Sequence, residues 1–163
     1  MISIKFTPVL PKKFNATALI AETTRAMKFM QNEVHKDFLK TTDTWENKPE
    51  FENTFEATPT QIRFEVSTDD EIYGYVNNGT RPHIIEGFPL AFMAAYKSKT
   101  TPRKIGSHGG GGSGETVFAT KVHHPGTEPR DFDTAIVVKE APRMSEMLRK
   151  AVKKARVDSG HAI

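Results

Sequence analysis

The chain of 163 residues has no cysteine, which excludes disulfides and thiolate metal sites alike. It has one Trp and three Tyr, so bulky core anchors must come mainly from its eleven Phe. Hydrophobic residues make up 37%, below the usual share, and that predicts a modest core with substantial loops. No apolar run approaches the roughly 18 residues of a membrane-spanning helix. The opening MISIKFTPVLPKKF has no apolar region ahead of a small-residue cleavage site. These absences predict a protein made and kept in a cytoplasm-like compartment, with no membrane partner. Catalytic signatures are missing as well. There is no G-x-S-x-G elbow, and no Lys-Ser or Lys-Thr follows the glycines of 106–114 to make a phosphate-binding loop. Ser107-His108 lies within those glycines, where a reactive geometry would not be held. The expectation is a non-enzymatic chain without a cofactor.

Charge is present but close to balance, at +3 overall. The last third is the exception. Arg143, Arg149, Lys150, Lys153, Lys154 and Arg156 face a single acid, Glu146. Such a surface could meet phosphate, although a solvated helix face is the commoner use of this pattern.

Periodicity predicts the elements. Residues 2–6, ISIKF, alternate as a short strand before Pro8 and Pro11. From Lys12, Ala16, Ile20, Thr23, Met27, Met30, Val34 and Phe38 recur at steps of three and four, one stripe of a helix of about 28 residues. The stripe fades at TTDT, and residues 45–59 give no readable pattern. QIRFEVS alternates as a strand with one buried face. IYGYVNNGTRPHII starts as another strand and meets Asn78-Gly79, a turn signal, because both residues tolerate positive φ. FPLAFMAAY places Leu90, Phe92, Ala94 and Tyr96 on one face of a strand, with a helix as the competing reading. Residues 97–114 are expected to be a mobile loop with Lys97, Lys99, Arg103 and Lys104 exposed. ETVFATKVHH returns as a strand. DFDTAIVVKEA begins a helix with Asp131 or Asp133 near its N-terminus. Pro142 should interrupt it, RMSEMLRKAVKKARV should restart it, and 157–163 should fray. The sum is one α+β domain over 1–163, an antiparallel sheet packed against a long N-terminal helix and a C-terminal helix.

Two chemical possibilities deserve weighing. A metal-dependent hydrolase would need three converging ligands, drawn from His83, His123 or His124 and an acid such as Asp131. Adjacent histidines on a strand point to opposite faces, so one site cannot easily use both. The other possibility is shape. YVNNGTRP and HHPGTEPR each end a strand in a conformationally fixed turn, then supply a Thr, a Pro and an Arg. Fixed turns lose little entropy on docking, and Arg bridges carboxylates well. Phe132 would plant the following helix in the core.

Three segments in order, YGYVNNGTRPHII (73–85), LAFMAA (90–95) and VFATKVHHPGTEPRDFDTAI (117–136), carry a resemblance. The sequence resembles the tail-completion and minor-tail-component proteins of long-tailed bacteriophages, the virion morphogenesis or head–tail joining family. The family pattern has an aromatic strand ending in a Gly-Thr turn, an RPHII stretch, a hydrophobic strand, a glycine-bearing loop, an HPGT segment and a C-terminal helix. It commonly has an acid before the Gly-Thr turn, where Asn77-Asn78 stand here, and residues 45–59 match no part of it. The resemblance implies a structural protein at the head–tail junction of the virion, made in the host cytoplasm. It would form a ring, often of six subunits, around the DNA channel, against head-connector and tail-terminator or tail-tube proteins. A minor capsid or connector protein at another level is the neighbouring reading. By the same resemblance His123, His124, Pro125, Gly126, Thr127 and Arg130 form a docking loop anchored by Phe132. Asn78, Gly79, Thr80, Arg81 and Pro82 form the companion turn. Charge would then set Arg149, Lys150, Lys153 and Lys154, or the glycine-loop flank, toward DNA in the lumen.

Overall fold

A computed structural model describes residues 14–106, 109–111 and 114–161. The expected strand at 2–6 and the Ser107-His108 pair lie outside the described residues. The architecture is α+β: two separate antiparallel hairpins, with a long helix from each half of the chain packed together. The single sheet expected from the sequence is thus two two-stranded ribbons.

Helix α1 (Ala16–Thr41) starts where the Asn15 side chain accepts a hydrogen bond from the Ala18 N–H at 3.0 Å. Met30 is buried on the expected stripe, with Ile20, Thr23, Met27, Val34 and Phe38 half-buried beside it. Strands β1 (Glu52–Ala57) and β2 (Ile62–Ser67) pair from Glu52↔Ser67 to Ala57↔Ile62 and lie on α1. β2 keeps the alternation read from its sequence, Ile62, Phe64 and Val66 inward and Arg63 and Glu65 outward. β1 comes from the unreadable stretch, where Phe55 is its one half-buried residue.

The strand expected after STDDE is a helix, α2 (Glu71–Asn78). Asp70 caps it, accepting from the Tyr73 N–H at 2.7 Å, and Glu71 suits the positive end of its dipole. Tyr73 and Asn77, one helical turn apart, are its buried residues. Asn78-Gly79 therefore ends a helix rather than turning a hairpin. Tyr73 sits among the rings of Phe38, Trp45, Phe51 and Phe132, with centroids 5.2 to 6.3 Å away. Burial there pushes its phenol up to about 12.

Strands β3 (His83–Met93) and β4 (Thr116–His124) form the second ribbon. Helix α3 (Phe132–Asp158) runs through Pro142 without a break, against expectation. Proline removes one helical hydrogen bond, but Pro142 and the residue four before it, Val138, are both exposed, so water can serve the freed carbonyl. Ile136, Ala151 and Ala155 are buried on both sides of the proline, and α3 packs along α1. Charge reinforces that seam. Asp37 on α1 pairs with Lys139 and with Lys40 (3.2 Å), while Arg143 joins Glu140 (2.9 Å) to Glu33 (3.1 Å). Residues 157–161, expected to fray, carry the cap of α3. Ser159 Oγ accepts from the Asn15 N–H at 3.0 Å, and the His161 ring meets that of Phe14. Among the described residues no helix is long and apolar enough to cross a membrane.

Candidate assembly interface

The two turn motifs singled out in the sequence meet each other. Thr80 and Thr127 form a two-residue bridge, with N–H to carbonyl distances of 3.0 and 3.1 Å, and the Thr127 N–H also reaches Thr80 Oγ1 at 3.0 Å. Both flanking glycines are required by this closeness. Gly79 has φ +74°, and a Cβ there would stand 2.6 Å from the Thr127 carbonyl oxygen. Gly126 has φ +91°, and its Cβ would overlap the Thr80 carbonyl.

The rest of the second motif continues inward. The Arg130 N–H donates to the Asn77 carbonyl at 3.1 Å, and its Nε donates to Thr100 Oγ1, also at 3.1 Å. Asp131 takes a left-handed conformation, φ 48°, and makes no side-chain cap to α3. The Asn77 side chain supplies the cap from α2, accepting from the Phe132 N–H at 2.8 Å. Phe132 is fully buried against Tyr73. Arg130 and Phe132 are thus internal fasteners, and Gly79, Thr80, His124, Gly126 and Thr127 are half-buried in the joint. Asn78, Arg81, Pro82, His123 and Pro125 remain on the outside. Of the glycine-loop flank, Lys97, Lys99, Arg103 and Lys104 are exposed, and Arg103 pairs with Asp131 at 3.2 Å.

His83 and His124 are cross-strand partners with ring centroids 4.9 Å apart, while His123 lies opposite Ile84. His83 Nδ1 donates to the Arg81 carbonyl (2.8 Å), which fixes that tautomer. His124 Nδ1 accepts from the Gly126 N–H (3.1 Å), so the neutral ring carries its proton on Nε2 and offers no outward lone pair. Asp131 is directed to Arg103 rather than to either ring. Among the described residues no three His, Asp or Glu side chains are grouped to hold a metal ion.

The feature that sequence reasoning missed is the exposure of the β3–β4 ribbon. Its strands pack chiefly on each other, whereas β1–β2 packs on α1. One face carries Ile85, Met93 and Phe118 and the other Ile84, Phe92 and Val117, all exposed. Between Glu86 and Leu90 the register shifts, and Phe88 stands out there at 87% exposure. Among the described residues each strand pairs only with the other, and neither outer edge is paired by a further strand. An isolated two-stranded hairpin is marginal in water, and contiguous apolar surface on both faces marks a contact site.

The basic face of α3 is partly spent within the molecule. Lys154 pairs with Glu22 (3.0 Å) and Asp158 (2.7 Å), and Lys150 with Glu146 (2.6 Å). Arg149 and Lys153 are exposed between them. No protein-family model, curated protein or solved structure matches the chain.

Proposed function

We propose that the chain is a structural, non-enzymatic virion protein of a long-tailed bacteriophage, working at the head–tail interface as a tail-completion or neck component. It self-associates into a ring around the DNA channel, of six subunits on the family pattern, between the head connector and the tail terminator or tube. The observation that carries this reading is the β3–β4 ribbon, with exposed apolar side chains on both faces and, among the described residues, no further strand on either edge. A chain that builds such a surface and leaves it uncovered is suited to assembly. The ordered motifs of 73–136 support the choice of assembly.

The reading is tested by electron microscopy of lysates from the parent phage with this gene disrupted. Filled heads beside separate, complete-looking tails are expected. Normal infectious particles would end the proposal.

A further inference from the structure

A groove beside the base of the ribbon is the ribbon's complement. It has a volume of about 780 Å³ and runs between α2 and the segments 44–47 and 96–100, with residues 124–128 as one wall. Trp45, Ile72, Val76 and Tyr96 give it an apolar lining, and Ile72 is 63% and Tyr96 58% exposed. Lys99 and Arg130 balance Glu46 and Glu128 along it. On the ribbon, Glu86 and Lys121 pair at 2.7 Å, so no excess of one sign holds the two surfaces apart.

The areas are of the right size. At roughly 200 Å² for a fully exposed aromatic side chain, the exposed fractions of Phe88 and Phe118 amount to about 300 Å². A standard stable interface takes about 800 Å² from each partner, a little over half of it apolar. These two rings supply roughly two-thirds of that apolar share, and Ile85 and Met93, exposed on the face of Phe118, add to it.

The occupant cannot be the chain's own ribbon. The wall at 124–128 continues directly from β4, and Phe118 lies six residues up that strand, roughly 20 Å from His124 in extended backbone. Bringing it back would break the strand pairing. We propose that the bend and face of the ribbon carrying Phe88 and Phe118 seat in the α2 groove of a second copy. One molecule then bears both halves of the contact, so copies can join head-to-tail, the arrangement that makes a ring when the rotation between neighbours closes. This rests on the ring reading above and adds to it which surfaces meet.

The absence of cysteine makes the test direct. Full-length Phe88→Cys and Ile72→Cys variants are oxidised alone and as an equimolar mixture, beside light scattering of the unaltered chain. Disulfide-linked pairs should form at least tenfold faster in the mixture than in either variant alone. Efficient linkage of Phe88→Cys to itself would mean ribbon-on-ribbon pairing and overturn the proposal. So would an unaltered chain that assembles while the mixture does not cross-link. An unaltered chain that stays monomeric at every concentration removes the contact and the ring reading together. As a second variant, Phe118→Ser should abolish assembly and leave the melting temperature of the helical body unchanged.

Discussion

Replacing Asn77 with Ala removes the acceptor used by the buried Phe132 N–H, whose own neighbour Asp131 provides no cap. Helix-capping losses of this kind cost about 1–2 kcal/mol. Asn77→Asp keeps an oxygen in place and adds a negative charge at the positive end of α3, so it should cost little or nothing. Urea titration of both variants checks the pair, and equal losses would deny the capping role. None of this was legible in the sequence. Asn77 and Phe132 stand 55 residues apart, and the Thr80–Thr127 joint spans 47. The motifs were visible as two docking loops. That they are largely each other's partner is a tertiary fact no spacing encodes.

Elements built on one period were readable, and those under a competing local signal were not. β2 follows alternation, and α1 follows its stripe because helix formers dominate it and no Gly or Pro interrupts it. α2 misleads because Tyr73, Tyr75 and Val76 favour strands, yet the Asp70 cap and the burial of Tyr73 with Asn77 outweigh that preference. β1 hides because it presents one half-buried side chain. The α1–α3 seam gives a pH prediction. Burial pushes the Asp37 carboxyl up, but Lys139 and Lys40 outweigh it and the net shift is below its ordinary 3.8. A depressed folded value means the contribution is complete above the unfolded value and is lost as pH falls through the folded one. Stability should therefore drop below about pH 4, and Asp37→Asn should flatten that drop while costing about 1–3 kcal/mol at neutral pH. Chemical denaturation between pH 2 and 7 measures both; an unchanged acid limb would refute the assignment.

For the whole molecule, the basic face of α3 and the apolar β3–β4 ribbon are separate surfaces. If the basic face meets DNA as proposed, then of the four residues set toward it Lys150 and Lys154 are already engaged by acids, and Arg149 and Lys153 are the more available to phosphate. Each phosphate contact contributes about −0.9 to the slope of log affinity against log salt. Arg149→Ala with Lys153→Ala should flatten the slope for duplex DNA by about 2 per subunit, while Lys150→Ala with Lys154→Ala should change it far less. Fluorescence anisotropy across a salt series reads this, and equal effects of the two double variants would contradict it. The cap has a consequence for the undocked chain. Because the cap of α3 is held by α2, the first turn of α3 is completed only when the two segments are joined. Until α3 docks, the face of α1 that it covers is exposed. That exposed apolar stripe, rather than the finished body, is what a newly made chain offers to mispairing with its own siblings.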